Sequence, residues 1–250
     1  MERIIFKERA ITNSMKTEAL YLNDAYKIEG IGTALFVEFT DMKVDKSIFY
    51  PTLFGEPNDT GKVIIEGKEY QIVDTIYDGE YIHLISMDTY PQGLVGKSVK
   101  QVIDWEKRYV HMRFRTALRL ISGLSYKLWG VSCRVNETYD DRAWIDIEKP
   151  DITEEEITEV MSKANEMVKQ NLEISFSYIS MDEFLNRDDL KKMSIHETFD
   201  DEKIRIMRVP GLPDQPEFGV NVKNTGEVGE IKYKTTKARG KVSNRININF

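Results

Sequence analysis

Residues Arg108–Arg119 read RYVHMRFRTALR and lie inside the longest run without a carboxylate, since neither Asp nor Glu occurs from Lys107 to Asn136. At about 100° per residue, Val110, Phe114, Ala117, Ile121, Leu124 and Leu128 recur every three or four positions and so share one face of an amphipathic helix. Arg108, His111, Arg115 and Arg119 fall on roughly the opposite face. That side is either the solvated back of a core helix or the wall of a site.

Upstream, TALFVEF (33–39), GKVIIEG (61–67), EYQIVDTIY (69–77) and EYIHLISM (80–87) have strand length, branched or aromatic residues, and turn formers between them. A small barrel is the natural way to close them. Between the first two runs lies Ile48–Gly61, IFYPTLFGEPNDTG, a loop rich in Pro and Gly.

Downstream, VSCRVNE (131–137) and AWIDIE (143–148) read as a hairpin turning across Thr138–Arg142. A second helix follows Pro150. Thr153 with Glu156 forms a capping box, and Ile157, Val160, Met161, Ala164, Met167 and Val168 give the helix its buried face. Glu154, Glu155, Glu156 and Glu159 complement its dipole. LEISFSYI (172–179) and EKIRIMRV (202–209) read as strands, with MDEFLNRDDLKKM (181–193) as a short helix or loop. The expected fold is α+β: a small β-barrel over residues 1–98, then, over 99–250, two main helices packed on antiparallel sheet.

The chain of 250 residues is 41% apolar and 31% charged, enough to bury a substantial core. No apolar run approaches the roughly 20 residues of a membrane helix, and the N-terminal MERIIFKERAITNS lacks a signal peptide's apolar core. One cysteine, Cys133, fits a packing role in a reducing cytoplasm. A net charge of −7 argues against whole-surface attraction to nucleic acid and gives no reason to expect DNA. Lys232, Lys234, Lys237, Arg239, Lys241 and Arg245, in a C-terminal stretch with no acid, could join the basic helix in one positive face, or be the solvent side of a strand.

Three segments together carry a family resemblance. The first is Asp104-Trp105-Glu106-Lys107-Arg108 followed by His111-Met112-Arg113-Phe114-Arg115-Thr116-Ala117-Leu118-Arg119-Leu120. The second is the loop, with Tyr50, Pro51, Gly55, Pro57, Asp59 and Gly61. The third is Glu217-Phe218-Gly219-Val220-Asn221-Val222-Lys223-Asn224-Thr225-Gly226-Glu227. They resemble the alanyl-tRNA editing family, the AlaX proteins and the second additional domain of threonyl- and alanyl-tRNA synthetases. There the helix reads Asp-Trp-x-x-Arg then His-Met-x-x-His-Thr-Ala-x-His-Leu, the loop is glycine-rich, and the third segment runs Cys-Gly-Gly-Thr-His-Val-x-Asn-Thr-Gly-Glu.

The resemblance implies hydrolysis of mischarged tRNA, seryl- or glycyl-tRNA for alanine, at a zinc ion. Its four zinc-ligand positions hold Arg115, Arg119, Glu217 and Asn221 in this chain, and Leu53, Phe54 and Glu56 replace two glycines and a glutamine of the loop. Guanidinium groups have no free lone pair for a metal, so no zinc is expected. Arg115 and Arg119 are expected to face Glu217, with Glu56 nearby, in a bidentate cluster standing in for the ion. Such a protein is either a metal-free editing hydrolase or a non-catalytic descendant binding the tRNA acceptor end, an aminoacyl group, a small carboxylate or a protein partner. The candidate binding residues are Arg115, Arg119, Glu217, Asn221, Gly55, Glu56 and Thr116, with His111 and Glu56 as candidate acid–base groups. His83 falls in a barrel strand and His196 in a linker.

Overall fold

The computed structural model describes residues 17–193, 203–237 and 244–250. Antiparallel strands β1 (Glu29–Glu38), β2 (Asp41–Val44), β3 (Gly61–Ile65), β4 (Lys68–Tyr77), β5 (Ile82–Ser86) and β6 (Ser98–Ile103) close into a barrel in the order β1-β2-β5-β4-β3-β6. Alternate residues fill its interior, such as Val63 and Ile65, Tyr70 and Ile72, and Ile82 and Leu84. Strand β1 starts before the apolar run that announces it. Its first half carries Gly30 and Gly32, where the chain crosses close by: a Cβ on Gly30 would meet Ile48 Cγ2 at 2.6 Å.

From β6 the chain passes directly into helix α1 (Trp105–Trp129). The Asp104 carboxylate caps it by accepting the Lys107 N–H at 3.2 Å, and Gly130 ends it in the left-handed region at φ 65°. Phe114, Ala117, Ile121 and Leu124 are buried as their spacing predicts, while Val110 and Leu128 are partly buried. The other side is buried as well, Arg108, His111, Arg115 and Arg119 included. A solvated basic back is therefore excluded.

Strands β7 (Cys133–Thr138) and β8 (Ala143–Ile147) form the expected hairpin. Helix α2 (Glu154–Gln170) opens with the Thr153–Glu156 capping box and buries the six apolar residues named above. Replacing Thr153 with Ala should cost about 1 kcal/mol of unfolding free energy, read from urea denaturation. Strands β9 (Ser175–Ser180) and β10 (Lys203–Arg208) pair with each other, and β10 continues to the short Gln215–Pro216. Strands β11 (Lys232–Lys237) and β12 (Asn244–Asn249) complete a sheet ordered β11-β12-β8-β7. The fold is thus a closed barrel followed by helices on antiparallel sheets.

Lys232 and Lys234 are exposed on β11, whereas Arg245 bonds Asp146 at 2.8 Å and lies over Trp144. The arginines of the inner side of α1 are buried and so add nothing to an exposed positive face beside Lys232 and Lys234. Arg239, Lys241, His196 and the N-terminal MERIIFKERAITNS lie outside the described residues. Among the described residues no helix is long and apolar enough to cross a membrane.

Candidate functional site

Helix α1 meets the loop Tyr50–Gly61 through a buried ion pair. The Arg108 guanidinium grips the Asp59 carboxylate through Nε at 2.8 Å and through Nη2, and it also donates to the carbonyls of Ile48 and Ala25 at 2.7 and 3.0 Å. Asp59 in turn accepts the Tyr50 N–H at 2.6 Å. Two residues matched at the sequence level thus prove to be one device that fixes the loop's path.

Within the loop, Leu53 and Glu56 exchange backbone hydrogen bonds at 2.8 and 3.1 Å. Phe54 (φ 49°) and Gly55 (φ 73°) both occupy the left-handed region. Phe54 therefore keeps a glycine-like backbone while adding a ring that packs on Phe218 at 5.8 Å between centroids. Gly55 has less freedom to change. Its carbonyl accepts the Thr138 N–H at 2.7 Å, and a Cβ there would overlap the Asn136 carbonyl. Gly55→Ala should cost about 1–3 kcal/mol, measured by thermal denaturation, from strain and collision together.

One turn apart on α1, Arg115 and Arg119 converge on Glu217 from the third motif. Arg115 donates through Nε and Nη2 at 3.0 and 2.8 Å to Oε1, and Arg119 Nε donates to Oε2. Arg115 Nη1 reaches the Phe54 carbonyl at 3.0 Å, and the Gly219 N–H donates to Glu217 Oε1 at 2.6 Å. Arg115 is 1% exposed and Glu217 0%, so the pair is sealed from water. Burial would raise the Glu217 pKa, but the two guanidinium groups and the Gly219 N–H outweigh it and hold the carboxyl at about 2. Thr116 ties the same segments together by accepting the Val222 N–H at 3.2 Å.

Glu56 lies beside this cluster: a Cβ on Gly219 would meet Glu56 Oε2, Arg115 Nε and Glu217 Oε1, all within 2.9 Å. Neither carboxyl oxygen of Glu56 has a hydrogen-bond partner among the described residues. Burial pushes it up to about 8, Arg115 opposing and Glu217 reinforcing the shift. It is therefore chiefly a neutral acid at pH 7. Asn221 is 3% exposed, and both its amide atoms are likewise unpartnered among the described residues. His111 stands apart, its Nε2 held 2.8 Å from Asp140 Oδ1 on the β7–β8 turn. Burial keeps it below the ordinary histidine value despite that carboxylate. Among the described residues no three His, Cys, Asp or Glu side chains converge as a metal site.

Arg205 was not singled out by the sequence. It holds the third motif from behind, its Nη1 donating to the carbonyls of Glu217 and Gly219 at 3.2 and 3.0 Å. It stands in β10 between buried Ile204 and Ile206, where neither face alternates to solvent and strand periodicity gives no signal.

A barrel leading into a long helix, whose buried polar side clasps a returning Glu-x-Gly-x-Asn segment, defines a class of α+β protein in which three distant motifs build one interior site. Alanyl-tRNA editing protein AlaX-M from Methanosarcina mazei is 32% identical over 240 residues, spanning 92% of this chain and 95% of that protein. AlaX-M from Saccharolobus solfataricus is 30% identical over 92% of this chain and 97% of its own length. The alanine–tRNA ligase of Methanobrevibacter smithii is 27% identical over 89% of this chain, which corresponds to 26% of the ligase. No family model matches the chain. The chain belongs to the alanyl-tRNA editing family, with the AlaX-M proteins as full-length relatives.

Proposed function

We propose that this protein recognises the aminoacylated 3′ end of a tRNA without a metal ion, and that it does so as a binder. The observation that carries this reading is the Glu217 carboxylate, saturated by Arg115, Arg119 and the Gly219 N–H at a place where the family resemblance puts a zinc ligand. A catalytic zinc needs three or four N, S or O donors with lone pairs. Two of the four positions here are guanidinium groups, and the one carboxylate is already engaged, so the donor set does not fit zinc. The cluster instead joins α1 to the third motif mechanically, as an ion held by both would.

Hydrolysis of seryl- or glycyl-tRNA is the second reading, favoured by the family membership. Catalysis would then rest on orientation and fixed dipoles around a labile ester. Glu56, held protonated by its burial, could give its proton to the departing ribose oxygen as the ester C–O bond breaks, but His111, already engaged by Asp140, is poorly placed to take the proton of the attacking water. A protein working on such substrates would act in the cytoplasm.

Purified protein incubated with Ser-tRNA, Gly-tRNA and Ala-tRNA in chelator separates the two. Unchanged ester lifetimes with a gel shift that weakens as salt rises are expected for the binder. Faster ester loss in chelator makes the protein a metal-free deacylase. Stoichiometric zinc by elemental analysis would overturn both.

A further inference from the structure

Strands β9 and β10, the turn Leu22–Tyr26 and the segment Asn221–Asn224 surround a solvent-open cavity of about 590 Å³. That volume suits a metabolite between an amino acid and a nucleotide in size. Arg205 contributes to the lining and is only 5% exposed, its guanidinium 3.7 Å from the Phe176 ring centroid. Its bonds to the third motif use Nη1 alone, and its Nε–Nη2 edge has no acceptor among the described residues. No described carboxylate pairs with it. An unpaired buried guanidinium is costly, and burial accordingly lowers the Arg205 pKa.

Asn221 lines the same cavity with its amide donor and acceptor both unused among the described residues. Lys223 Nζ stands 4.3 Å over the Tyr26 ring and adds a second positive charge. The lining acids, Asp24 and Glu173, are exposed, and Asp24 accepts the Tyr26 N–H. A purely structural Arg205 would explain the two carbonyl bonds. It would not explain a free guanidinium edge and an idle amide lining one cavity.

We propose that this cavity is a small-molecule site that takes an oxyanion, carboxylate or phosphate, on the open edge of Arg205, with the ligand's body against Phe176 and Asn221 supplying its polar contact. The guanidinium fork matches either oxyanion in bidentate fashion. The cavity shares Asn221 with the candidate tRNA site, and saturable binding of a small oxyanion without a tRNA gel shift would support this inference while that reading fails.

Calorimetric titration of the full chain tests it with four probes: L-alanine and L-phenylalanine for the carboxylate, inorganic phosphate and uridine monophosphate for the phosphate. Saturable binding with Kd of roughly 1 mM or tighter is expected for at least one pair, and the pair that binds identifies the source of the oxyanion. Asn221→Asp puts a negative charge at the ligand and should weaken that binding about tenfold or more, as should Arg205→Lys, which loses the fork. Lys62→Ala, on the barrel's exposed side, should bind as the parent does. Melting curves check that Asn221→Asp remains folded, which keeps the test valid should Arg205→Lys unfold. Failure of all four probes to saturate by about 10 mM, or unchanged binding by a folded Asn221→Asp, overturns the proposal.

Discussion

Glu217→Ala is expected to lower the unfolding free energy by about 3–5 kcal/mol, because it strands two guanidinium groups in a site water does not reach. The size of the effect lies in what remains and not in the worth of the ion pair. Removing Arg115, Arg119 and Glu217 together, with Met at all three, should cost far less, since an apolar cluster of similar volume avoids desolvating any charge. Urea denaturation of the single and triple variants decides this. A triple variant no more stable than Glu217→Ala would show that packing, and not stranded charge, governs the site. The pH dependence gives a second check. The folded Glu217 value of about 2 lies below the ordinary 4.5, so its contribution is full above pH 4.5 and is lost as pH falls towards 2. Glu217→Gln should flatten the stability profile over that acid window.

Glu56→Gln should act in the opposite direction and raise stability at pH 7 by about 2–3 kcal/mol. With a folded value of about 8 against an ordinary 4.5, Glu56 favours folding fully below pH 4.5 and loses that advantage as pH rises through 8. At pH 7 the unfolded chain has released its proton and the folded chain retains it. Glutamine mimics the neutral form at every pH, so the gain should vanish near pH 4.5 and grow towards pH 8. Equal stability of the two proteins at pH 8 would mean that Glu56 is ionised in place, with Arg115 as its counter-charge.

Much of this architecture is legible before any coordinates. The buried face of α2 and its capping box follow from spacing and residue type, and Arg115, Arg119 and Glu217 could be paired because three ordered motifs aligned them. Other features were silent for physical reasons. Strand β2 is only four residues long, and β6 buries the polar Gln101 while leaving Val102 partly exposed, which breaks the alternation that would announce it. Arg108 and Asp59 are 49 positions apart, and nothing in a linear pattern says that one neutralises the other. Periodicity alone left the inner side of α1 open between a solvated back and the wall of a site, because charge normally faces water and only tertiary pairing makes its burial tolerable. The direction taken by His111 depended on where the β7–β8 turn would set Asp140.

The crowding of Glu56, Arg115 and Glu217 around Gly219 bears on how such a protein can change over generations. Arg115, Arg119 and Glu217 are each acceptable only in the company of the other two, so single exchanges at these three positions pass through unstable intermediates while coordinated ones need not. Histidines installed at 115 and 119 one at a time should each be poorly tolerated, because each leaves Glu217 without one of its two guanidinium partners. The cluster thus works as a ratchet that resists stepwise exchange of its members.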